Sequence, residues 1–384
     1  MVNLADGFGP RPIDEVKEEL LGRAKDNRNP FLYTVFDEVA PVINGLRSVD
    51  REAWAKAFGA LAGPHEERVA RAEAAGDKET ARKEYLIAYD CYHVARYPAP
   101  NSPGKLAAYR KSQENFHKAA RYFDPPLERV EMPFKGRPGE GTASIGLLRK
   151  PKGVAKPPVV VIWGGIDAFK EERPSDPYIK AGLATLAIDM PGVADAPLAG
   201  SEDSERLWDA VFDFIASRAD LDAERVGLHG GSTGGYWATK VAHTHAARLR
   251  AAVNQGGPAH FAFKPDWIVK AQRGEYPFEL AETLACAFGR STGEEWVEYA
   301  PKLSLLDQGV LDRPSAPLLC VNGVNDSVFP IADMQLLLEH GSPKAARFYH
   351  GGHMGGGNSQ SVIIGWLKEK NCRRDCGGGY RASS

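Results

Sequence analysis

The stretch Gly227-Leu228-His229-Gly230-Gly231-Ser232-Thr233-Gly234-Gly235 constrains this chain more than any other. It sets G-x-S-x-G, Gly230 to Gly234, between Arg225 to His229, which reads as a short buried strand, and Tyr236 to Ala242, which reads as a helix. A strand, a sharp turn and a helix in that order force the residue at the tip into a strained backbone. Flanking glycines remove the Cβ atoms that would collide with strand and helix. The Ser232 hydroxyl then projects into a cleft beside the free N–H groups of the helix start. A phosphate-binding loop would need G-x-x-x-x-G-K-[ST], and the first lysine after these glycines is Lys240. A glycine-rich turn around a buried serine is the plainer alternative, and the rest of the chain bears on the choice.

From Asp124-Pro125-Pro126 onward the pattern is strands with helices between them. Arg129 to Phe134 and Ala143 to Leu148 alternate as an antiparallel hairpin around the turn-rich Lys135 to Gly141. Apolar runs follow at 158–163, 183–188, 226–229, 251–254, 317–321 and 347–349, most separated by helical segments. That alternation predicts an α/β fold, a mainly parallel sheet covered on both faces. Upstream the periodicity is helical: Ile13 to Leu21, the charged, alanine-rich Ser48 to Ala95, and Lys105 to Tyr122, with Pro98, Pro100 and Pro103 as the interruption. Within Arg82 to Arg96, Tyr85, Tyr89 and Tyr92 form an aromatic stripe that core packing explains. Between Pro258 and Leu311 the alternation lapses into a mostly helical insertion carrying Trp267, Tyr276, Phe278, Phe288 and Trp296. Its position predicts a wall over the carboxyl edge of the sheet, where open α/β folds bind ligands. The expected organisation is a helical amino-terminal cap at 1–125, a catalytic α/β domain at 126–371 with the insertion at 258–311, and a flexible tail at 372–384.

The 384 residues, 43% hydrophobic and 26% charged, can bury a large core, and the net charge of −2 offers no basic field for nucleic acid or an anionic membrane. Met1 to Pro12 lack a basic and an apolar region, and no apolar run reaches the ~18 residues a bilayer needs. A cytoplasmic protein is expected. The five cysteines, Cys91, Cys286, Cys320, Cys372 and Cys376, make no disulfide framework, and Cys372 and Cys376 read as a frayed end rather than a metal site.

A serine hydroxyl needs a base to take its proton and an acid to orient that base. Downstream, the apolar Pro317 to Val321 runs into a loop ending at Asp326, and the glycine-rich loop Gly351 to Gly357 presents His353. The order Ser232, Asp326, His353 is that of α/β-hydrolases. Asp333, His350 and His229 compete for these roles; they are expected on the next helix, at a strand end, and buried before the turn. Oxyanion donors are expected from the N–H of Thr233 and from the loop after Val159 to Trp163, at Ile166 or, next, Gly165.

The segments Trp163 to Glu172, Asp189-Met190-Pro191-Gly192, Gly230 to Gly235 and Asn322-Gly323-Val324-Asn325-Asp326, with Tyr97-Pro98 and Tyr122 to Pro126 upstream, resemble one α/β-hydrolase branch. That branch contains 2,6-dihydroxypseudooxynicotine hydrolase and FrsA-like esterases. The resemblance implies a helical amino-terminal cap, frequent dimerisation, and no metal or organic cofactor. Some members hydrolyse esters, and one cleaves a carbon–carbon bond beside a ketone with an acidic pocket residue, for which Asp266, next to Trp267, is the candidate here. A solvated helix start is the other explanation of Asp266. Lys170, Glu171 and Glu172 match the branch's loop and read as structural, as does Asp189. With Tyr89 and Trp267 in the capping segments, a small aromatic carbonyl substrate is expected. Ester hydrolysis is favoured, with retro-Claisen carbon–carbon cleavage as the alternative and a non-catalytic ligand receptor as the rival of another class.

Overall fold

A computed structural model describes residues 11–371. Six helices come first: α1 (Ile13–Lys25), α2 (Phe36–Gly45), α3 (Arg51–Gly59), α4 (Ala62–Ala74), α5 (Lys78–Arg96) and α6 (Pro103–Ala120). Several starts are written into the sequence: the side chains of Asp50, Asp77 and Ser102 accept from the backbone N–H three residues on, and Pro103 opens α6. Helix α5 is the axis of this unit, buried continuously from Glu84 to Arg96. Its Asp90 accepts the N–H groups of Leu32, Tyr33 and Thr34 at 2.7–2.8 Å, fixing the chain between α1 and α2. Trp54 of α3 donates to the Val94 carbonyl at 2.7 Å.

Helices give way to strands after Ala120, and the first strand begins at Leu127. The strands are β1 (Leu127–Pro133), β2 (Ala143–Arg149), β3 (Pro158–Trp163), β4 (Ala184–Ile188), β5 (Asp222–Gly231), β6 (Ala251–Gln255), β7 (Leu318–Gly323) and β8 (Ala345–Tyr349). They form one sheet in the order β1-β2-β4-β3-β5-β6-β7-β8. β1 pairs antiparallel with β2 and β2 with β4, while every pairing from β4 to β8 is parallel. This is the α/β-hydrolase arrangement.

Alternate residues of a strand point to opposite faces, and here both faces are covered. Val159, Val161 and Trp163 join one apolar cluster with α8 (Leu207–Ser217) and α9 (Thr233–Thr244). Val160 and Ile162 join the other with α7 (Asp176–Lys180) and α14 (Ser359–Lys370). The insertion supplies α10 (Pro265–Ala271), α11 (Leu280–Ala287) and α12 (Gly293–Tyr299); α13 (Ile331–Glu339) follows β7. The front helices meet the insertion through aromatic rings, Trp54 and Tyr97 lying 4.9 and 5.7 Å from Phe278. Because β3, β5, β6, β7 and β8 are parallel, the loops that follow them open at one edge of the sheet. Cys372, Cys376 and the tail at 372–384 lie outside the described residues.

Candidate active site

Ser232 sits between β5 and α9 with φ 55° and ψ −135°, a left-handed conformation that a residue with a side chain rarely adopts. The turn is too tight for neighbouring side chains. A Cβ on Gly230 would lie 2.2 Å from the Gly234 carbonyl oxygen, and one on Gly234 2.2 Å from that of Gly164. The Ser232 N–H donates to the Gln255 carbonyl at 2.8 Å, and the Trp163 indole donates to the Gly234 carbonyl at 2.9 Å.

The edge brings Ser232, Asp326 and His353 together across 121 residues of chain between serine and histidine. His353 Nε2 is 2.8 Å from Ser232 Oγ, and its Nδ1 is 2.8 Å from Asp326 Oδ2. Asp326 is completely engaged. Oδ2 also accepts Asn322 Nδ2 at 2.8 Å, while Oδ1 accepts the N–H groups of Val328 and Phe329 at 2.7 and 3.0 Å. Nδ1 of His353 therefore carries the proton, leaving Nε2 free to accept from the serine hydroxyl. Burial by itself pulls the His353 pKa down, but the Asp326 carboxylate, with Glu275 and Asp167 further off, outweighs it and raises the pKa above its ordinary value.

Thr233 is the first residue of α9, so its N–H has no acceptor within the helix. The loop after β3 passes directly over the serine: a Cβ on Gly165 would lie 2.8 Å from Ser232 Cβ, 2.9 Å from Oγ and 3.4 Å from Thr233 N. Gly165 and the buried Ile166 thus lie beside both Ser232 and the first residues of α9. Gly165→Ala is expected to lower turnover by about 100-fold or more and to cost thermal stability as well, since a methyl 2.8 Å from Ser232 Cβ and 2.9 Å from Oγ forces the loop away from the serine. Steady-state kinetics alongside a melting curve test this; turnover near the wild-type rate would contradict the loop's position.

The competing residues are elsewhere. Asp333, in α13, accepts four backbone N–H groups, those of Ala259 to Ala262, and so pins the entry to the insertion. His350 is exposed just after β8. His229 is partly buried rather than fully, held between the Tyr178 hydroxyl at Nδ1 (2.6 Å) and Gln255 Oε1 at Nε2 (2.9 Å). Burial lowers its pKa to about 4, so it is neutral at neutral pH.

The three pocket candidates fare differently from the triad. Asp266 is exposed in the first turn of α10, where a carboxylate suits the helix dipole, so the solvated-helix explanation holds and the acidic pocket role does not pass to it. Trp267 is half-buried and its indole donates to the Val328 carbonyl at 2.9 Å, which braces the loop carrying Asp326. Tyr89 is buried in the front helices, stacked on His93 (5.9 Å between ring centres) and tilted against Phe116 (5.4 Å). Lys170 joins Asp189 and Asp195 at 2.8 and 2.6 Å, and Glu172 meets Arg96 of α5 at 2.5 Å. Burial opposes the charge of Glu172, but His93 and Arg96 win and hold its pKa down to about 2.

Glu275, in the insertion, also holds the histidine loop. Both its carboxylate oxygens lie 3.0 Å from the backbone N of His353, and one also accepts from the N–H and hydroxyl of Ser327. Its partners are 52 and 78 residues away, so no local pattern marks it. Asn322 did lie in a recognised segment. Besides Asp326 it accepts the Met354 N–H at 3.0 Å, joining acid and histidine loops. Among the described residues no group of three or more His, Cys, Asp or Glu side chains is disposed to hold a metal ion, and no helix is long and apolar enough to cross a membrane.

Comparison with known proteins agrees with this fold. The chain is 25% identical over 378 residues to Esterase FrsA of Vibrio cholerae, covering 95% of this chain and 86% of that one. It is 29% identical over 236 residues to the α/β hydrolase gkaG of Penicillium citrinum, covering 56% and 53%. The fold is shared with the crystal structure of 2,6-dihydroxy-pseudo-oxynicotine hydrolase, at a TM-score of 0.73 and 23% identity over 88% of this chain and 93% of that one. Wild-type AbyA5 superposes equally well, with a TM-score of 0.73 and 21% identity over 94% and 95%. The family model described as Esterase FrsA-like matches residues 42–370, from the front helices through the histidine loop to the last helix, and the chain accordingly belongs to the FrsA-like esterase family of α/β-hydrolases.

Proposed function

We propose that this hydrolase cleaves esters of small aromatic or polyketide-like acids through an acyl-enzyme on Ser232. The observation that carries the reading is the unbroken relay from Ser232 Oγ through His353 to Asp326, 2.8 Å at each step, with the Gly165 loop against the nucleophile. His353 takes the serine proton as Oγ attacks the carbonyl carbon. The oxyanion is held by Thr233 N–H and the Gly165–Ile166 loop, and His353 returns the proton to the leaving alcohol. Water, deprotonated by the same imidazole, then releases the acid. Screening p-nitrophenyl esters, anilides and 1,3-diketones with wild type and Ser232→Ala tests the assignment; a preferred substrate that is not an ester would overturn the bond type.

A second reading, retro-Claisen cleavage, has its own support in two phenols. Tyr97 and Tyr276 are buried with rings 6.2 Å apart, and their hydroxyls stand close to each other and to Asp167 without a well-formed hydrogen bond. Asp167, next to the proposed oxyanion loop, stands near both. A buried phenol whose hydrogen bonding is incomplete gains from a substrate oxygen that completes it. A phenol or enolate oxygen there would suit an acyl-phenol, and the diketone arm of the screen separates the readings. A receptor role without turnover is set aside by membership of an esterase family.

The raised His353 pKa fixes the sign of the pH response. The base must be neutral to accept the serine proton, so kcat/KM is expected to fall on the acid side with an apparent pKa above the usual imidazole value of about 6.5. The same shift contributes stability that is full below the unfolded histidine's pKa and is lost as pH rises through the folded value. Activity and this share of stability therefore run in opposite directions. A pH–rate profile whose acid limb falls below the ordinary imidazole range would contradict the charge balance described above.

A further inference from the structure

Two loops must stay in register with Ser232: the one after β3, which crosses the nucleophile, and the one that carries His353. Each is gripped by a side chain that belongs to neither the relay nor the sheet. Asn29, between α1 and α2, donates Nδ2 to Asp167 Oδ2 at 3.0 Å, and Asp167 directly follows Ile166. Glu275 of the insertion takes the His353 N–H with both oxygens at 3.0 Å. These two grips meet at one residue. Arg23, in the last turn of α1, donates Nη1 to the Asn29 carbonyl at 2.8 Å and Nη2 to the Glu275 carbonyl at 2.7 Å, and its Nε is held by Glu19 at 2.7 Å. Only 11% of its side chain is exposed.

We propose that Arg23 is a positioning residue that ties the front helices to the nucleophile-crossing loop through Asn29 and to the histidine loop through Glu275. The helical unit then completes the active site as well as covering it. The inference rests on the serine-hydrolase reading given above. A guanidinium presents its N–H groups as a rigid planar fork, so it can hold two carbonyls at a fixed separation; an ammonium is a single point with no such geometry. Arg11 differs from it. That side chain binds the carbonyls of Gly274 and Tyr276 at 2.9 and 2.7 Å, and so reaches the insertion side alone. Arg23 joins both sides, one residue away from each loop.

The test uses the full chain and a p-nitrophenyl ester, with turnover expressed per serine titrated by a phosphonate. Loss of folded enzyme lowers the titre without changing turnover per titrated site, whereas misplaced loops lower turnover itself. Arg23→Ala is expected to reduce kcat per titrated serine by more than about fivefold while KM moves less, because a shift of a fraction of an ångström weakens transition-state contacts more than ground-state binding. Millimolar guanidinium is expected to restore part of the loss. A change in kcat per site smaller than about fivefold overturns the proposal. Should Arg23→Ala fail to fold, Arg23→Lys, which keeps the charge and loses the fork, is read against the same limit. Ser232→Ala separates the two readings: if it retains turnover the serine assignment fails, and if it is inactive while the Arg23 variants are unimpaired only the Arg23 link fails.

Discussion

Replacing Ser232 by alanine is expected to lower ester turnover by about 10⁴-fold or more while leaving a folded protein that no longer reacts with a phosphonate. The size follows from the proposed chemistry: without Oγ no acyl-enzyme can form, and what remains is the proposed oxyanion site acting on a water molecule. The fold should tolerate the change because the hydroxyl has a single side-chain partner, His353 Nε2 at 2.8 Å. The strained backbone at φ 55° is fixed by the Gln255 and Gly235 hydrogen bonds, which alanine keeps. Turnover and melting temperature measured on the same preparation decide the matter; an alanine variant working near the wild-type rate would remove Ser232 from the mechanism.

Asp326→Asn is expected to cost about as much, roughly 10⁴-fold in kcat, by reversing the histidine tautomer rather than by removing a charge alone. The carboxylate accepts on both sides, from two backbone N–H groups on Oδ1 and from His353 and Asn322 on Oδ2. An asparagine has only one oxygen. The backbone donors of Val328 and Phe329 cannot turn away, so they claim that oxygen and the new NH2 group faces His353. The imidazole must then accept at Nδ1 and carry its proton on Nε2, pointing at the serine it should deprotonate. Asn322 cannot flip to help, because its own Oδ1 already accepts the Met354 N–H. The stranded donor should also cost about 1–3 kcal/mol of stability. Kinetics and denaturant melts test both parts, and an Asp326→Asn enzyme with near-normal kcat would mean that the histidine takes its orientation from another group.

The contrast between the triad and the pocket residues shows how far a sequence can be read. Ser232, Asp326 and His353 each follow a recognisable strand, and a parallel sheet gathers the loops after its strands at one edge. Local pattern plus chain order is therefore enough to predict that the three side chains meet, as they do at 2.8 Å. Asp266 stands out by residue type, rough position and the branch resemblance, and Tyr89 by residue type and rough position alone. The first faces solvent at a helix start and the second packs within the front helices. Nothing short of the packing of α5 and α10 could separate those outcomes from a pocket role.

The sheet, the elbow and the order of the three side chains are legible in the chain because each is specified by residues close together along it: glycines at a turn too tight for Cβ atoms, and apolar runs at strand spacing. The braces that hold the relay in place emerge only on folding. Glu275 on the His353 backbone, Asn29 on Asp167 and Arg23 between them are paired over 78, 138 and 252 residues, respectively. A polar side chain becomes a brace only when folding has removed its water and left one partner in reach, and that partner is chosen by how helices and sheet pack, which leaves no periodic mark on the chain.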